Sequence, residues 1–384
     1  MRILFVAYFP MEPSVGGVQR VTNVLVTELM RRGHEVSCLS LQLGHTASDL
    51  TIAPQYYINV EQDADWKTHL EELMNKLSVE YIINQSPNTL TYNVLKELKT
   101  KAKIVSVFHT QPFLNDNISR NIILRTHTYN IKQCLFKYLS FILPPIRSFV
   151  FGLYEKQNIL NALKVSDRIC FISERFFPRI LRHIPNIPKE KLVAINNPNT
   201  FVPNDDKTQK ENIILWIGRV ENAVKNTIDF VKIWERLYDN NPSWKAIVAG
   251  DGDDLSAVVK YVKKRRISNI QFIGKCYDVQ SLYQRAKIVV VTSFSESWCM
   301  VLTEGLAHGC VVCAYDTYET VHDIINGSNG FVSDADPKIM AAKLDLLMNS
   351  PIELKRMSKV TYSSIRKYNA EDIVNQWEVL LNSL

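Results

Sequence analysis

The sequence predicts an α/β protein made of two parallel-sheet domains. Apolar strand-like runs alternate with helical patterns along the whole chain. Near the middle, the polar stretch Asn197 to Asn212 carries two prolines and no apolar periodicity, so it reads as an interdomain linker. With 384 residues and 46% hydrophobic content, the chain can fill two cores.

In the first half, strands are predicted at Arg2 to Tyr8, Glu35 to Leu41, Tyr81 to Asn84, Ile104 to His109, Arg168 to Ile172 and Leu192 to Ile195. A helix fits Val18 to Arg32 and ends at Gly33, which suits a left-handed C-terminal cap. In the second half, strands fit Ile213 to Ile217, Lys245 to Ala249, Ile270 to Ile273, Ile288 to Val291 and Val311 to Ala314. The final segment, Glu371 to Leu384, places Ile373, Val374, Trp377, Val379, Leu380 and Leu381 at helical spacing. No solenoid-length repeat or low-complexity tract interrupts this order.

Several function classes lose support at once. Met1 to Phe9 reads as a strand rather than a charged leader with a cleavage site, so a secretory signal is not expected. The most apolar stretch, Cys134 to Leu153, is broken by Lys137, Pro144, Pro145 and Arg147, short of the roughly 20 apolar residues a membrane span needs. The seven cysteines are scattered and odd in number, which points to a reducing cytoplasm. Cys310 and Cys313 form a CxxC, but no second pair stands at zinc-ligand spacing, and both read as buried structural thiols.

Five segments carry the chemistry. From Val291 to Gly305, VTSFSESWCMVLTEG sets Glu296 and Glu304 eight residues apart across a predicted strand, turn and helix. A carboxylate early in such a helix can accept bonds from a vicinal diol, while loop amides and the helix dipole favour an anion. From Leu215 to Asn226, LWIGRVENAVKN ends a strand at Gly218 and puts Arg219 and Lys225 in one loop, where two cations could clamp a diphosphate. Near the start, Gly16 and Gly17 precede the first helix in PSVGGVQRV, which is not the dinucleotide pattern GxGxxG. Without a Cβ they let main-chain N–H groups approach phosphates. AGDGDD follows another strand, with Gly250 and Gly252 shaping its loop, and His109 ends the strand before SVFHTQ.

In their order and spacing, the glycine pair, His109, GRVENAVKN, AGDGDD, FIGKCYDV and the two glutamates resemble the retaining glycosyltransferases of family 4, over nearly the whole chain. The resemblance implies the GT-B fold: two Rossmann-like domains with parallel sheets facing across a cleft, and a C-terminal helix that crosses back. The expected division is 1–204 plus about 366–384 for the acceptor-binding domain and 205–365 for the donor-binding domain. It implies a nucleoside diphosphate sugar as donor, UDP-linked by family frequency, and a glycan or polyprenyl-diphosphate-linked acceptor in surface polysaccharide or glycoconjugate synthesis. Catalytic roles fall to His109, Arg219, Lys225 and Glu296, with Glu296 as a donor-sugar contact and Arg219, Lys225 and the Gly17 amide on the leaving diphosphate. Donor contacts are expected from Gly16, Gly17, Gly218, Gly250, Gly252, Lys275 and Cys276, and from Trp298, Cys299, Met300, Val301 and the ribose-holding Glu304. No cofactor and no metal are expected, since Asp251 to Asp253 falls in the glycine loop rather than a metal motif. A non-catalytic nucleotide-sugar-binding protein, or a GDP-sugar mannosyltransferase, stands as the alternative.

Where the family has glycine, an aromatic and a small residue after the first glutamate, this chain has Ser297, Trp298, Cys299 and Met300, so sugar specificity cannot be borrowed. The net charge of +6 also has a location: residues 118–182 hold eleven Lys or Arg against three acids, interleaved with aromatics such as Phe136, Phe141 and Phe149. That composition predicts a surface for an anionic membrane or a lipid-linked acceptor, and a peripheral place at the inner membrane face. A helical hairpin with solvated basic faces is the other reading. Nucleic acid is not expected, because no reader motif accompanies the charge.

Overall fold

The structure is a computed structural model and describes residues 1–13, 16–42, 53–113, 144–203 and 209–384. It divides into two compact units. The first comprises Met1–Phe113, Phe149–Thr200 and Lys367–Leu384, and the second is built from Phe201–Arg366. The change between them at Thr200 falls inside the polar stretch 197–212.

In the first unit the strands are β1 (Arg2–Ala7), β2 (Glu35–Ser40), β3 (Gln55–Tyr57), β4 (Tyr81–Asn84), β5 (Lys103–Phe108), β6 (Arg168–Phe171) and β7 (Leu192–Ala194). They form one parallel sheet in the order β3-β2-β1-β4-β5-β6-β7. Strands covered on both faces must be apolar throughout, and β1 is buried from Ile3 to Ala7. One face packs Leu4, Val6, Leu39, Ile82 and Ile104 against Leu70, Leu73 and Met74 of helix Trp66–Leu77 and Val94 and Leu95 of helix Thr89–Glu97. The order reverses between β1 and β4, which makes a crevice at their carboxyl ends.

The helix Ala370–Asn382 ends the chain yet belongs to this unit, as the resemblance implied. It buries Ile373, Val374, Trp377, Leu380 and Leu381. Polar contacts fix its register against helix Gly17–Arg31. Arg32 donates to Glu378 at 2.6 Å, to Asn375 at 2.6 Å and to the carbonyl of Glu371 at 2.8 Å, while His34 meets the other oxygen of Glu378 at 2.7 Å. Glu28 completes the cluster by accepting from Arg31 and Arg32.

The second unit contains β8 (Glu211–Ile217), β9 (Lys245–Ala249), β10 (Ile270–Gly274), β11 (Ala286–Val291), β12 (Val311–Tyr315) and β13 (Gly330–Ser333). They form a parallel sheet ordered β10-β9-β8-β11-β12-β13, which reverses between β8 and β11. Ile214, Trp216, Val248, Ile288 and Val290 meet Phe230, Trp234, Met340 and Leu344 in its core. Cys310 and Cys313 are both buried there, and the Cys310 thiol donates to the carbonyls of Tyr283 and Ala286.

Two strands lie outside the sequence expectation. β3 is three residues long and half-buried, too short to show alternation. β13 opens on Gly330 after a run that reads as a turn, and the glycine is required because a Cβ there would lie 1.8 Å from the carbonyl oxygen of Val312. Of the basic aromatic region 118–182, residues 118–143 lie outside the described residues. No described helix is long and apolar enough to cross a membrane.

Hydrogen bonds from Arg31 and then Arg32 hold the Glu28 carboxyl down to about 2, against the opposing effect of burial. Its folded pKa lies below the usual 4.5, so this contribution is complete above that pH and is lost as the pH falls toward 2. Glu28→Gln is therefore expected to lower stability by about 1–3 kcal/mol at pH 7 and to flatten the acid side of the stability curve. Urea titrations at pH 7 and pH 4 check both effects.

Candidate active site

At the reversal point of the second unit, the loops that follow β8 and β11 are tied into one body. The Thr292 hydroxyl accepts from the Trp216 indole N–H at 3.1 Å and donates to the carbonyls of Lys225 and Asn226 at 3.2 and 3.0 Å. The Phe294 amide donates to the carbonyl of Val224 at 2.8 Å. Asn226 takes a left-handed conformation, φ 53°, which asparagine tolerates better than most residues, and helix Thr227–Trp234 starts from it. Asn222 pins the loop from below, its amide donating to Asp254 and its side-chain oxygen accepting from Ile228.

This body presents Lys225 and Glu296 to each other, with Nζ 2.6 Å from Oε1. Ser293 donates to the same carboxylate oxygen at 2.7 Å. Burial works against the Lys225 charge, but the Glu296 carboxylate outweighs it and leaves the ammonium pKa above its usual value. Arg219 lies in the same loop and pushes the Lys225 pKa the other way, so the two cations are near enough to repel. The Arg219 side chain is 68% exposed and pairs with Glu221 at 2.7 Å. Each cation of the expected clamp therefore rests on a neighbouring acid.

The glycines have a geometric cause. Gly250 has φ 147°, and a Cβ would fall 1.8 Å from the carbonyl oxygen of Gly218; at Gly252, φ 159°, it would fall 2.5 Å from that of Val220. The ends of β8 and β9 thus run closer together than side chains permit, with the Val220 amide bonded to the carbonyl of Asp251. Lys275 and Cys276 follow β10 at the same edge, Lys275 exposed with its ammonium 5.1 Å from the Tyr277 ring centre.

Glu304 lies in the interior of the second unit. It is 2% exposed on helix Met300–Ala307 and accepts from the Tyr283 hydroxyl at 2.8 Å. Every residue of the helix from Leu302 to Ala307 is buried, Gly305 against Val289 and Val312 of the sheet and Glu304 beside Tyr283 of helix Val279–Arg285, while Met300 and Val301 stay half-buried at its start. Trp298 and Cys299 are buried ahead of it, and burial pushes the Cys299 thiol up to about 12.

In the first unit, His109 follows β5 and Gln85 follows β4, and the two side chains are hydrogen-bonded through His109 Nε2. The ring edge is half-buried, but Nδ1 is shielded from solvent and has no hydrogen-bond partner among the described residues. Desolvation drops the imidazole pKa to about 4, so it is neutral at pH 7. Gly16 precedes helix Gly17–Arg31 in extended conformation, its carbonyl accepting from the Arg20 amide at 3.1 Å. Among the described residues no group of three or more His, Cys, Asp or Glu is placed to hold a metal ion.

The supporting residues Thr292, Ser293, Gln85, Glu221 and Tyr283 escaped the sequence reading. Gln85 and Ser293 share one available signal, since each lies within two residues of the carboxyl end of an inner strand, where ligands of open α/β sheets bind.

Two units with parallel sheets, reversal points and site loops at the strand carboxyl ends define a GT-B protein. Residues 199–364 match the family described as Glycosyl transferases group 1, and the second unit is a domain of that family. The chain is 23% identical over 375 residues to an uncharacterized glycosyltransferase of Haemophilus influenzae, covering 96% of this chain and 97% of that one. It is 28% identical over 230 residues, 58% of this chain and 60% of the other, to an N-acetyl-D-galactosaminyltransferase of Campylobacter jejuni whose name specifies a PP-undecaprenol-linked glycan. The solved structure of TarM from S. aureus, with Fondaparinux, alpha-GlcNAc-glycerol and UDP, matches at 13% identity with a TM-score of 0.75, covering 100% of each chain.

Two measurements probe these placements. Gly250→Ala should destabilise the protein by about 2–4 kcal/mol, read by chemical denaturation, because the strain cannot be relieved without separating β8 from β9. For His109, the folded pKa near 4 lies below the usual 6.5, so its contribution is complete above pH 6.5 and is lost as the pH falls through 4. The melting temperature of His109→Gln should therefore fall less steeply than that of the wild type across that window.

Proposed function

We propose that the protein is a retaining, metal-independent glycosyltransferase that moves a sugar from a UDP-sugar to a glycan or lipid-linked acceptor in surface polysaccharide or glycoconjugate synthesis. The observation that carries this reading is the Lys225–Glu296 pair, held beside Arg219 on fused loops at the reversal point of a glycosyl transferases group 1 domain. The UDP in the TarM structure and the PP-undecaprenol glycan in the Campylobacter enzyme's name support the donor and acceptor classes.

In the reaction the donor C1–O bond breaks with its electron pair going to the diphosphate. The acceptor oxygen bonds to C1 on the same face, and its proton passes to the departing phosphate. Negative charge grows on the diphosphate, so two fixed cations nearby stabilise the transition state more than the ground state. Lys225 is suited to this because it stays charged at neutral pH. Its partner Glu296, freed or shared on donor binding, contacts the sugar hydroxyls, and neither glutamate acts as a nucleophile. Glu304 holds the ribose once the Tyr283 hydroxyl yields or shares it. Cys299, Met300 and Trp298 narrow the sugar pocket. His109 is a neutral hydrogen-bonding group on the acceptor side. A peripheral site at the inner membrane face would bring the enzyme to a lipid-linked acceptor.

A thermal-shift panel of UDP, GDP, ADP and CMP, followed by their sugar conjugates, tests the reading. UDP should raise the melting temperature most, and UDP release from a UDP-sugar should fall about 100- to 1,000-fold in kcat for Lys225→Ala. Arg219→Ala should weaken UDP binding by roughly tenfold. A protein that none of the four nucleotides stabilises would lack the donor site altogether, and binding without UDP release for any sugar would leave a non-catalytic binder.

A further inference from the structure

A cavity of about 930 Å³ opens at the opposite ends of the strands that carry the candidate active site, within the range of about 300–1,000 Å³ common for small-ligand pockets. Asn212, Trp244 and Lys287 enter it from the beginnings of β8, β9 and β11. The facing wall is helix Pro351–Ser364, whose Lys355, Ser358, Lys359 and Tyr362 share one side at positions i, i+3, i+4 and i+7. β8 is seven residues long, and a strand rises about 3.3 Å per residue, so this place is separate from Gly218 and Arg219.

Its lining is one-signed. Lys210, Lys287, Lys355 and Lys359 border the cavity, and no aspartate or glutamate does among the described residues. Nearby carboxylates already have partners: Glu211 is held by Lys245 and Arg285, Glu353 by Arg356, and Asp345, behind the wall, accepts from the lining residues Asn241 and Asn349. Lys210 spends its ammonium on the carbonyls of Tyr283, Gln284 and Ala286, and Lys287 donates to the Asn212 side chain while lying 5.8 Å over the Trp244 ring. Lys355 and Lys359 are exposed one turn apart, where like charges destabilise a helix unless an anion joins them. Between the cations stand neutral polar groups, Asn240, Asn349 and Ser243, of the kind that bind hydroxyls.

We propose that this cavity binds an anionic carbohydrate, a sugar or short oligosaccharide bearing carboxylate or phosphate groups, independently of the donor site. The test is calorimetric titration of the whole protein with trigalacturonate, neutral maltotriose and inorganic phosphate, and flotation with phosphatidylglycerol vesicles. Trigalacturonate should bind in a salt-dependent manner, at least tenfold more tightly than maltotriose or phosphate. The Lys355→Gln/Lys359→Gln double variant should lose at least tenfold of that affinity while keeping its melting temperature and its UDP response. Lys225→Ala should leave trigalacturonate binding unchanged, which separates failure here from failure of the proposed donor site. No trigalacturonate binding, equal binding by the double variant, or phosphate binding as tight as trigalacturonate would each overturn the proposal. So would vesicle binding through these lysines without trigalacturonate binding, which would assign the surface to a membrane.

Discussion

The hydroxyl of Thr292 sits where three chain segments converge: it accepts from Trp216 on β8 and donates to the carbonyls of Lys225 and Asn226 in the loop beyond. Buried polar groups of this kind are costly when unpaired, so the three partners are locked together or the local fold is lost. Because Thr292 also begins the loop that reaches Glu296, the lock places a carboxylate opposite a lysine 71 residues away in sequence. The sheet order makes this possible, since β8 and β11 are neighbours only through the reversal that parallel right-handed crossovers produce.

A second consequence is that the charges of the site are stored as ion pairs. Lys225 rests on Glu296 and Arg219 on Glu221, so neither cation repels the other without compensation. An anionic ligand then competes with carboxylates rather than with water. The partly buried Lys225 pair resists solvent screening, and the exposed Arg219 pair yields more readily.

Much of this was legible in the chain. Strand cores at β4 and β9 match the apolar runs residue for residue, because a strand buried on both faces cannot hide a charge. The Gly250 and Gly252 positions were legible as loop-shaping sites, and the structure supplies the backbone contacts that demand them. β3 and β13 were not legible: their three and four residues carry too little pattern, and Gly330 reads as a turn until Val312 is seen beside it. Glu304 was legible as part of a motif, but its 2% exposure depends on neighbouring elements, Tyr283 among them, that close around its helix on all sides.

By itself, then, the sequence determined the alternation of strands and helices, the division at the polar stretch near Thr200, and the loops that hold Arg219, Lys225 and Glu296, because apolar periodicity and glycine placement act locally. Only the tertiary structure decided that Glu296 meets Lys225, that Gln85 holds His109, and that Arg32 and Glu378 seat the last helix on the first unit. Those pairings join residues tens to hundreds of positions apart, and strand order and packing, not local preference, bring them within hydrogen-bond reach.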